Sequence, residues 1–329
     1  MAEKYGLVII GGGPAGYEAA LDAAKKGIKT ALVEKRELGG TCLNRGCIPT
    51  KTLLHSAELF SEMKKSEALG ISVEGLTYNM EKIQNRKKEV LDQLRSGIEM
   101  LMKKNKIAVY NGTGTILNPN EVQIAGVEES FIIGAENILI ATGSVPSVPP
   151  IPGAKLLDVH TSDSLLENKK NYNSLTIVGG GVIGMEFAAV YCALGVKVTV
   201  IEFLDRILAN MDKEISQNLK MIMKKRGVDI HTSSRVERIL ERDGSLVCCY
   251  EEKEKMVEAV SDAVLIATGR RANTEELFGP EVDVSMERGR ILVDELGRTS
   301  MPTVFAAGDV TPSVQLAHAA TANARNIVA

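Results

Sequence analysis

Lys4-Tyr5-Gly6-Leu7-Val8-Ile9-Ile10-Gly11-Gly12-Gly13-Pro14-Ala15-Gly16 is an apolar run that breaks into glycines, and a helical pattern continues from it through Lys26. A second apolar run, Thr30 to Val33, is closed by Glu34. Strand, glycine turn, helix, strand and acid follow one another in the order of a βαβ dinucleotide unit. The glycines permit a tight turn and close approach to a pyrophosphate, the helix N-terminus favours its charge, and the acid suits a ribose hydroxyl. A glycine pattern alone also fits a plain βαβ turn; the strand, the helix and Glu34 together make this a nucleotide site.

The unit occurs twice. Aligning Val8–Lys35 with Thr176–Phe203 at an offset of 168 gives ten identities in 28 positions: Ile177, Gly179, Gly180, Gly181, Gly184, Glu186, Ala188, Gly195, Lys197 and Glu202 each match their counterpart. The exits correspond too, since Ala267-Thr268-Gly269-Arg270 echoes Ala141-Thr142-Gly143-Ser144. Two dinucleotide sites in one chain imply electron transfer between two cofactors. Glu202 ends the second unit's second strand, where a carboxylate accepts from a 2′-hydroxyl and repels a 2′-phosphate, so the second site is expected to take NAD and not NADP. Arg206, Arg270 and Arg271 do not replace it.

Between the repeats lies Gly39-Gly40-Thr41-Cys42-Leu43-Asn44-Arg45-Gly46-Cys47-Ile48-Pro49-Thr50-Lys51, two cysteines with four residues between them. In a chain with five cysteines, a close local pair reads as one that cycles between dithiol and disulfide. A zinc site needs two further ligands, and no second Cys or His pair with zinc spacing exists, so no metal is expected. Residues five apart on a regular helix are separated by roughly 7.5 Å along its axis, too far for a disulfide, so the segment must be distorted, with Gly46 supplying the freedom. Ile48 and Pro49 are expected to begin the helix that Lys51 to Met63 continues, and its N-terminus beside Cys47 favours a thiolate.

This stretch resembles the active site of the flavoprotein disulfide reductases, most closely that of the dihydrolipoamide dehydrogenases, and the resemblance runs through all 329 residues. It implies an α/β fold of two Rossmann-like domains, for FAD and NAD, the second inserted in the first and each with an added antiparallel β segment. It implies FAD and NAD contacts at Gly11, Gly13, Gly16, Glu34, Lys35, Gly40, Thr41, Lys51, Ala141, Thr142, Gly143, Gly179, Gly181, Gly184, Glu202, Gly269, Gly308, Asp309 and Ala317. By the same resemblance Cys47, nearer the helix, would contact the flavin and form the charge-transfer thiolate, while Cys42, nearer the surface, would exchange with substrate. Lys51 and Glu186 match the ion pair beside flavin N5. Val304 to Asp309 resembles the family's second flavin contact, with Asp309 on the ribityl chain, and the helix expected from Gln315 to Val328 points its N-terminus at the flavin. The reaction implied is oxidation of protein-bound dihydrolipoyl groups by NAD. The partners implied are lipoyl-bearing subunits of 2-oxoacid dehydrogenase or glycine cleavage complexes. The alternatives are reduction of mercuric ion or a small disulfide, and a flavin-binding scaffold without catalysis.

The rest of the chain reads more plainly. At 44% hydrophobic it can bury a core of two domains or more, and a net charge of −3 gives no electrostatic case for nucleic acid. No apolar run approaches membrane-spanning length, and Met1 to Tyr5 lead directly into a strand, so a soluble cytoplasmic protein is expected. Asn79 to Lys104 is an expected helix, with Ile83, Val90, Leu94, Ile98 and Leu101 as its core stripe and its charges on a solvated face. Short strands are expected from Ile107 to Ile140. Four prolines within Val145–Pro152 mark a stiff crossover. The expected domains are 1–147, 148–271 and a return over 272–329. Cys192, Cys248 and Cys249 are expected to be buried thiols, and His55, His160, His231 and His318 structural or solvent-facing. Family members continue into a dimerisation domain carrying a His-Glu acid-base pair. None of the four histidines stands in that context, so a monomer that keeps NADH-dependent dye reduction, with dihydrolipoamide oxidation lowered by orders of magnitude, is expected.

Overall fold

The computed structural model describes residues 3–126 and 129–329; Met1 and Ala2, on which the reading of the opening partly rests, lie outside them. The chain begins with β1 (Lys4–Ile10), α1 (Pro14–Lys25) and β2 (Thr30–Glu34), then α2 (Gly40–Arg45), α3 (Cys47–Lys65) and α4 (Met80–Lys104). β3 (Ala108–Asn111), β4 (Thr113–Asn118), β5 (Glu121–Ala125) and β6 (Ser130–Ile140) come after it. β7 (Ser144–Pro146), β8 (Val159–Thr161) and α5 (Ser162–Leu166) lead to the second repeat, β9 (Ser174–Val178), α6 (Val182–Ala193) and β10 (Lys197–Ile201). Next come α7 (Lys213–Lys225), β11 (Asp229–His231), β12 (Ser234–Arg242), β13 (Ser245–Glu252), β14 (Lys255–Ser261) and β15 (Ala263–Ile266). The chain ends with β16 (Arg270–Ala272), β17 (Met286–Glu287), β18 (Arg290–Ile291), β19 (Val304–Ala306) and α8 (Ala317–Val328).

Residues 1–47, 91–145 and 271–329 form one compact unit, and 48–90 with 146–270 form another. The first unit is built on a sheet ordered β3-β2-β1-β6-β5-β4, with β19 also on β6. β1, β2, β3, β6 and β19 run parallel, and β4 and β5 extend the sheet antiparallel from the early half of β6. Its strands read as unbroken apolar runs because a parallel sheet is covered on both faces, and Val8, Ile10, Val33, Ile138, Ile140 and Val304 fill its core. α1 presents Ala15, Ala19, Ala20 and Ala23 inward, small side chains that let a helix approach closely, and Arg325 of α8 clasps Glu18 of α1 at 2.8 Å.

The second unit has the parallel sheet β11-β10-β9-β15-β8 and the antiparallel meander β12-β13-β14. Leu175, Ile177, Phe187, Val198, Val200 and Leu265 lie in its main core, and Ile239, Cys248 and Tyr250 of the meander join Val178, Ile201 and Ile266 in a second cluster. Leu53, Ala57 and Phe60 of α3 and Met80 of α4 belong to that main core, which is why 48–90 falls with this unit and not within a first domain of 1–147.

Three local expectations need correction. On α4 the buried line is Met80, Gln84, Lys87, Leu91, Ile98 and Met102, while Leu94 and Leu101 are each 43% exposed. The apolar pattern favoured a stripe one step around the helix. The core chose the line containing Gln84 and Lys87, because both find partners: Gln84 donates to the Asn168 carbonyl at 2.8 Å, and Lys87 to the Leu166 carbonyl at 2.7 Å and to Glu167 at 2.8 Å. α8 begins at Ala317, two residues later than Gln315. Cys248 and Cys249 are buried, but Cys192 is only half-buried, its thiol donating to the Arg226 carbonyl at 3.0 Å.

Candidate dinucleotide and dithiol sites

The first glycine turn has no room for side chains. Gly11 has φ +109, and a Cβ on it would stand 2.3 Å from the Ala141 carbonyl oxygen; one on Gly16 would stand 1.8 Å from the Gly11 oxygen. Strand exit and helix start are thus in backbone contact, as a pyrophosphate-binding turn requires. Glu34 is pinned from both sides, accepting from Gly12 N at 2.7 Å and Arg36 N at 2.8 Å. Its remaining lone pairs are available to hydroxyls. Gly40, with φ +59, crosses over the turn so closely that a Cβ would lie 2.4 Å from the Gly13 Cα. Lys35 is exposed.

The second turn repeats this. A Cβ on Gly179 would meet the Ala267 oxygen at 2.4 Å and one on Gly184 the Gly179 oxygen at 2.0 Å. Glu202 accepts from Gly180 N and, at 2.7 Å, from Leu204 N. Gly181 differs from its counterpart in facing open space. Arg206 turns away from Glu202's role by donating to the Ala209 carbonyl at 2.9 Å.

The exit of β6 and the later return come together within the first unit. Asp309, in the turn after β19, accepts from Ser144 Oγ at 2.7 Å, and Asn273 N donates to the Gly143 carbonyl at 2.9 Å. Gly143 and Gly308 have φ of +69 and +78, and Gly269 in the second unit +129, values that favour glycine. Thr142 Oγ1 is buried with no hydrogen-bond partner among the described residues, a donor and acceptor waiting on a ligand. Ser144 and Asn273 join the site without having been expected there; Ser144 stands beside the Ala141-Thr142-Gly143 exit in sequence, but Asn273 carries no local signal.

Both cysteines fall where a helix is interrupted. α2 ends at Gly46, whose φ of −150 and ψ of −110 leave the helical region, and α3 begins at Cys47. A Cβ on Gly46 would press to 3.0 Å from the Thr41 oxygen. The expected break is present, with Cys47 at the N-terminus of a 19-residue helix that favours negative charge. Cys47 is exposed and Cys42 half-buried, on α2 next to the buried Leu43 and Asn44. Burial, then the charges of Glu18 and Cys42, push the Tyr17 phenol above its ordinary pKa.

In the second unit Lys51 donates to Glu186 at 2.5 Å. His160 bonds Tyr172 at 2.9 Å and Ser164 at 3.2 Å, His231 bonds Asp229 and Glu252, and His55 and His318 are exposed. Among the described residues no group of three or more Cys, His, Asp or Glu is placed to hold a metal, and no helix is long and apolar enough to cross a membrane.

Two glycine-turn units and a two-cysteine helix break define a two-cofactor oxidoreductase, and its dinucleotide sites fit the groups the turns anticipate. Residues 5–324 match the pyridine nucleotide-disulphide oxidoreductase family, and the chain belongs to it. Its relatives include dihydrolipoyl dehydrogenases: that of Acholeplasma laidlawii is 44% identical over 326 residues, 97% of this chain and 94% of that one. That of Bacillus subtilis (strain 168) is 40% identical over 334 residues, 98% of this chain and 70% of that protein. Among solved structures, a Cu(II) complex of the HOCl-induced flavoprotein disulfide reductase RclA from Escherichia coli is similar at TM-score 0.88 and 33% identity, covering 99% of this chain and 70% of that one. Enzymes of this family and the dihydrolipoyl dehydrogenases use FAD and NAD(H).

Proposed function

We propose that the chain oxidises dihydrolipoyl groups, borne on the lipoyl subunits of 2-oxoacid dehydrogenase or glycine cleavage complexes in the cytoplasm, and passes the electrons to NAD. The observation that carries this reading is the helix break at Gly46, which sets Cys42 and Cys47 in the same unit as the first glycine turn.

A dihydrolipoyl thiolate attacks Cys42 of the Cys42–Cys47 disulfide, forming a mixed disulfide and releasing Cys47 as a thiolate that the α3 N-terminus stabilises. The second dihydrolipoyl thiol then attacks its own arm of the mixed disulfide, giving lipoyl disulfide and Cys42 thiol. FAD, when bound, would supply the two-electron relay between this dithiol and NAD, with the dithiol oxidised to the disulfide, NAD reduced to NADH and a proton released. Gly11, Gly13, Gly16, Gly40, Thr41, Ala141, Thr142, Gly143, Gly308 and Ala317 would hold FAD at the turn and exit, Glu34 and Asp309 would take its hydroxyls, and Lys35 would lie at the rim. Gly179, Gly181, Gly184 and Gly269 do the same for NAD, with Glu202 on the adenosine ribose. Lys51 and Glu186 keep the paired role that the resemblance gives them.

NADH-dependent reduction of an artificial dye needs the two nucleotide sites alone and is expected of this chain. The test is dihydrolipoamide oxidation by NAD beside dye reduction by NADH, in wild type, Cys42→Ser and Cys47→Ser. Loss of the lipoyl reaction in both variants, with dye reduction by NADH retained, supports the assignment; a lipoyl reaction that survives both overturns it.

A further inference from the structure

α2 is six residues long and carries Cys42; it starts at Gly40, φ +59, between the caps Gly39 at φ +102 and Gly46. A helix this short does not hold itself together in water, and glycine flanks loosen it further. Its position must be imposed from outside. Asn44, 5% exposed, is the means. Its Nδ2 donates to the Leu38 carbonyl at 3.0 Å and the Gly40 carbonyl at 3.1 Å, with the Glu37 carbonyl at 3.4 Å sharing a hydrogen. This ties the approach loop to the helix. Its Oδ1 accepts two N–H bonds from Arg95, Nη2 at 3.1 Å and Nε at 3.3 Å. The amide has one tenable orientation, since a flip would set NH2 against a guanidinium and oxygen against three carbonyls.

Arg95 belongs to α4, 25 residues long, whose Leu91, Ile98 and Met102 are buried. Its guanidinium also meets Asp92 at 3.5 Å, and Arg45 reaches back from α2 to Glu37 at 2.5 Å. Burial pushes the Glu37 carboxyl up, but the Arg45 bond and the Arg45 and Arg95 charges outweigh it and hold it below the usual range. The loop, α2 and α4 thus form one bonded network with Asn44 at its centre.

We propose that Arg95, acting through Asn44, is a positioning residue for Cys42: it fixes α2 on α4, so that Cys42 stays within reach of Cys47 and the intramolecular disulfide is favoured. This rests on the reading of Cys42 and Cys47 as the redox pair. A fixed neighbour has a high effective concentration, so a loosened α2 shifts the two-electron, two-proton equilibrium toward the dithiol.

The test is a redox titration of the intact 329-residue chain in glutathione buffers of graded ratio, quenched with acid, alkylated, and read by mass spectrometry at Cys42 and Cys47. Arg95→Met is expected to lower the disulfide-to-dithiol equilibrium constant about tenfold, a rise of about 30 mV in midpoint potential. Arg95→Lys keeps the charge and one donor and is expected to stay within about threefold of wild type. Charge alone predicts the opposite for Arg95→Met, because losing a cation disfavours the thiolates and stabilises the disulfide. Should Arg95→Met fail to fold, amide exchange across residues 37–46 in Arg95→Lys and wild type decides, with faster exchange there but not in α1 expected. An equilibrium constant for Arg95→Met within twofold of wild type, a shift toward the disulfide, or unchanged exchange across 37–46 in that fallback overturns the proposal. A wild-type pair that does not titrate overturns the redox reading itself, and the proposal with it.

Discussion

A methyl group placed on Gly13 would meet the Gly40 Cα at 3.6 Å, whereas one on Gly181, the same position of the second repeat, would meet nothing within 4 Å. Beneath this difference the two turns are the same. Gly11 N and Gly179 N each donate at 2.8 Å to the carbonyl at the end of the second strand, and Gly12 and Gly180 each accept from the segment beyond it, Gly39 N at 2.8 Å and Leu208 N at 2.9 Å. The two units part after those residues. Past Gly39 the chain builds α2 across the turn and puts a cysteine on it; past Leu208 it leaves for α7 without covering the turn. Glu18 and Glu186 diverge in the same way, the first spent on Arg325 to clamp α8, the second on Lys51. One turn is roofed and braced, which suits a cofactor that stays, and the other is open, which suits one that exchanges.

The roof gives the largest expected effect. Gly40→Ala forces a Cβ to 2.4 Å from backbone at a positive φ, where neither side can yield. It is expected to cost on the order of 4 kcal/mol or more and to abolish flavin retention. Gly181→Ala, facing open space at φ −72, is expected to change stability by less than about 0.5 kcal/mol. Melting temperature and flavin absorbance after gel filtration measure both; equal behaviour of the two variants would remove the distinction between the turns.

Next is the acid. Glu202→Ala leaves the Gly180 and Leu204 N–H groups without their acceptor and removes the proposed ribose contact, so KM for NADH should rise roughly 10- to 100-fold, the equivalent of ~1.5–3 kcal/mol for a charged hydrogen bond. Glu202→Arg should in addition shift preference toward NADPH. Steady-state kinetics with both nucleotides checks this, and a wild type that uses NADPH as well as NADH contradicts it.

The two halves of α4 differ in what they bury. In the first unit that helix buries Leu91, Ile98 and Met102; in the second it buries Gln84 and Lys87, the latter 2% exposed. Lys87→Met leaves the Leu166 carbonyl unsatisfied at the end of α5 and should cost about 1–3 kcal/mol. Denaturant titration followed by a probe in the second unit measures it; no loss would mean that the ammonium's own desolvation cancels its bonds.

These regions differ in how well the sequence announced them. The glycine turns, Glu34, Glu202 and the break at Gly46 were legible because each is a local requirement of backbone or charge, and the repeat supplied an internal check. α4's inner face was not, because period alone cannot tell which of two adjacent lines a core will take, and Lys87 is buried only by virtue of partners 79 and 80 residues away. Asn273 and Arg95 escaped for the same reason: they act at sites their own neighbours in sequence do not mark.

The smallest expected effect is in the pH dependence of the second unit. Burial pushes His160 below its ordinary value of 6.5, opposed by Asp158 and reinforced by Lys170, while the Lys170 bond holds Asp158 below the usual carboxylate range. Since His160 releases its proton more readily folded than unfolded, the unfolded chain binds more protons between the two pKa values, and stability rises with pH across that interval. Its contribution is therefore complete above about pH 6.5 and is lost as pH falls from there through the folded-state pKa. Asp158 has the same sign but acts lower, its contribution lost as pH falls through its own depressed value. Urea midpoints at pH 7.5, 6.5 and 5.5 should decline in wild type and decline less in His160→Gln, which keeps a polar side chain beside Tyr172 but cannot titrate. The first unit has Glu37 and Glu3 as its depressed carboxyls and should hold its midpoint through this range, weakening only as pH falls through their pKa values. If both units weaken together from pH 6.5, or if His160→Gln declines as steeply as wild type, His160 is not the group that separates them.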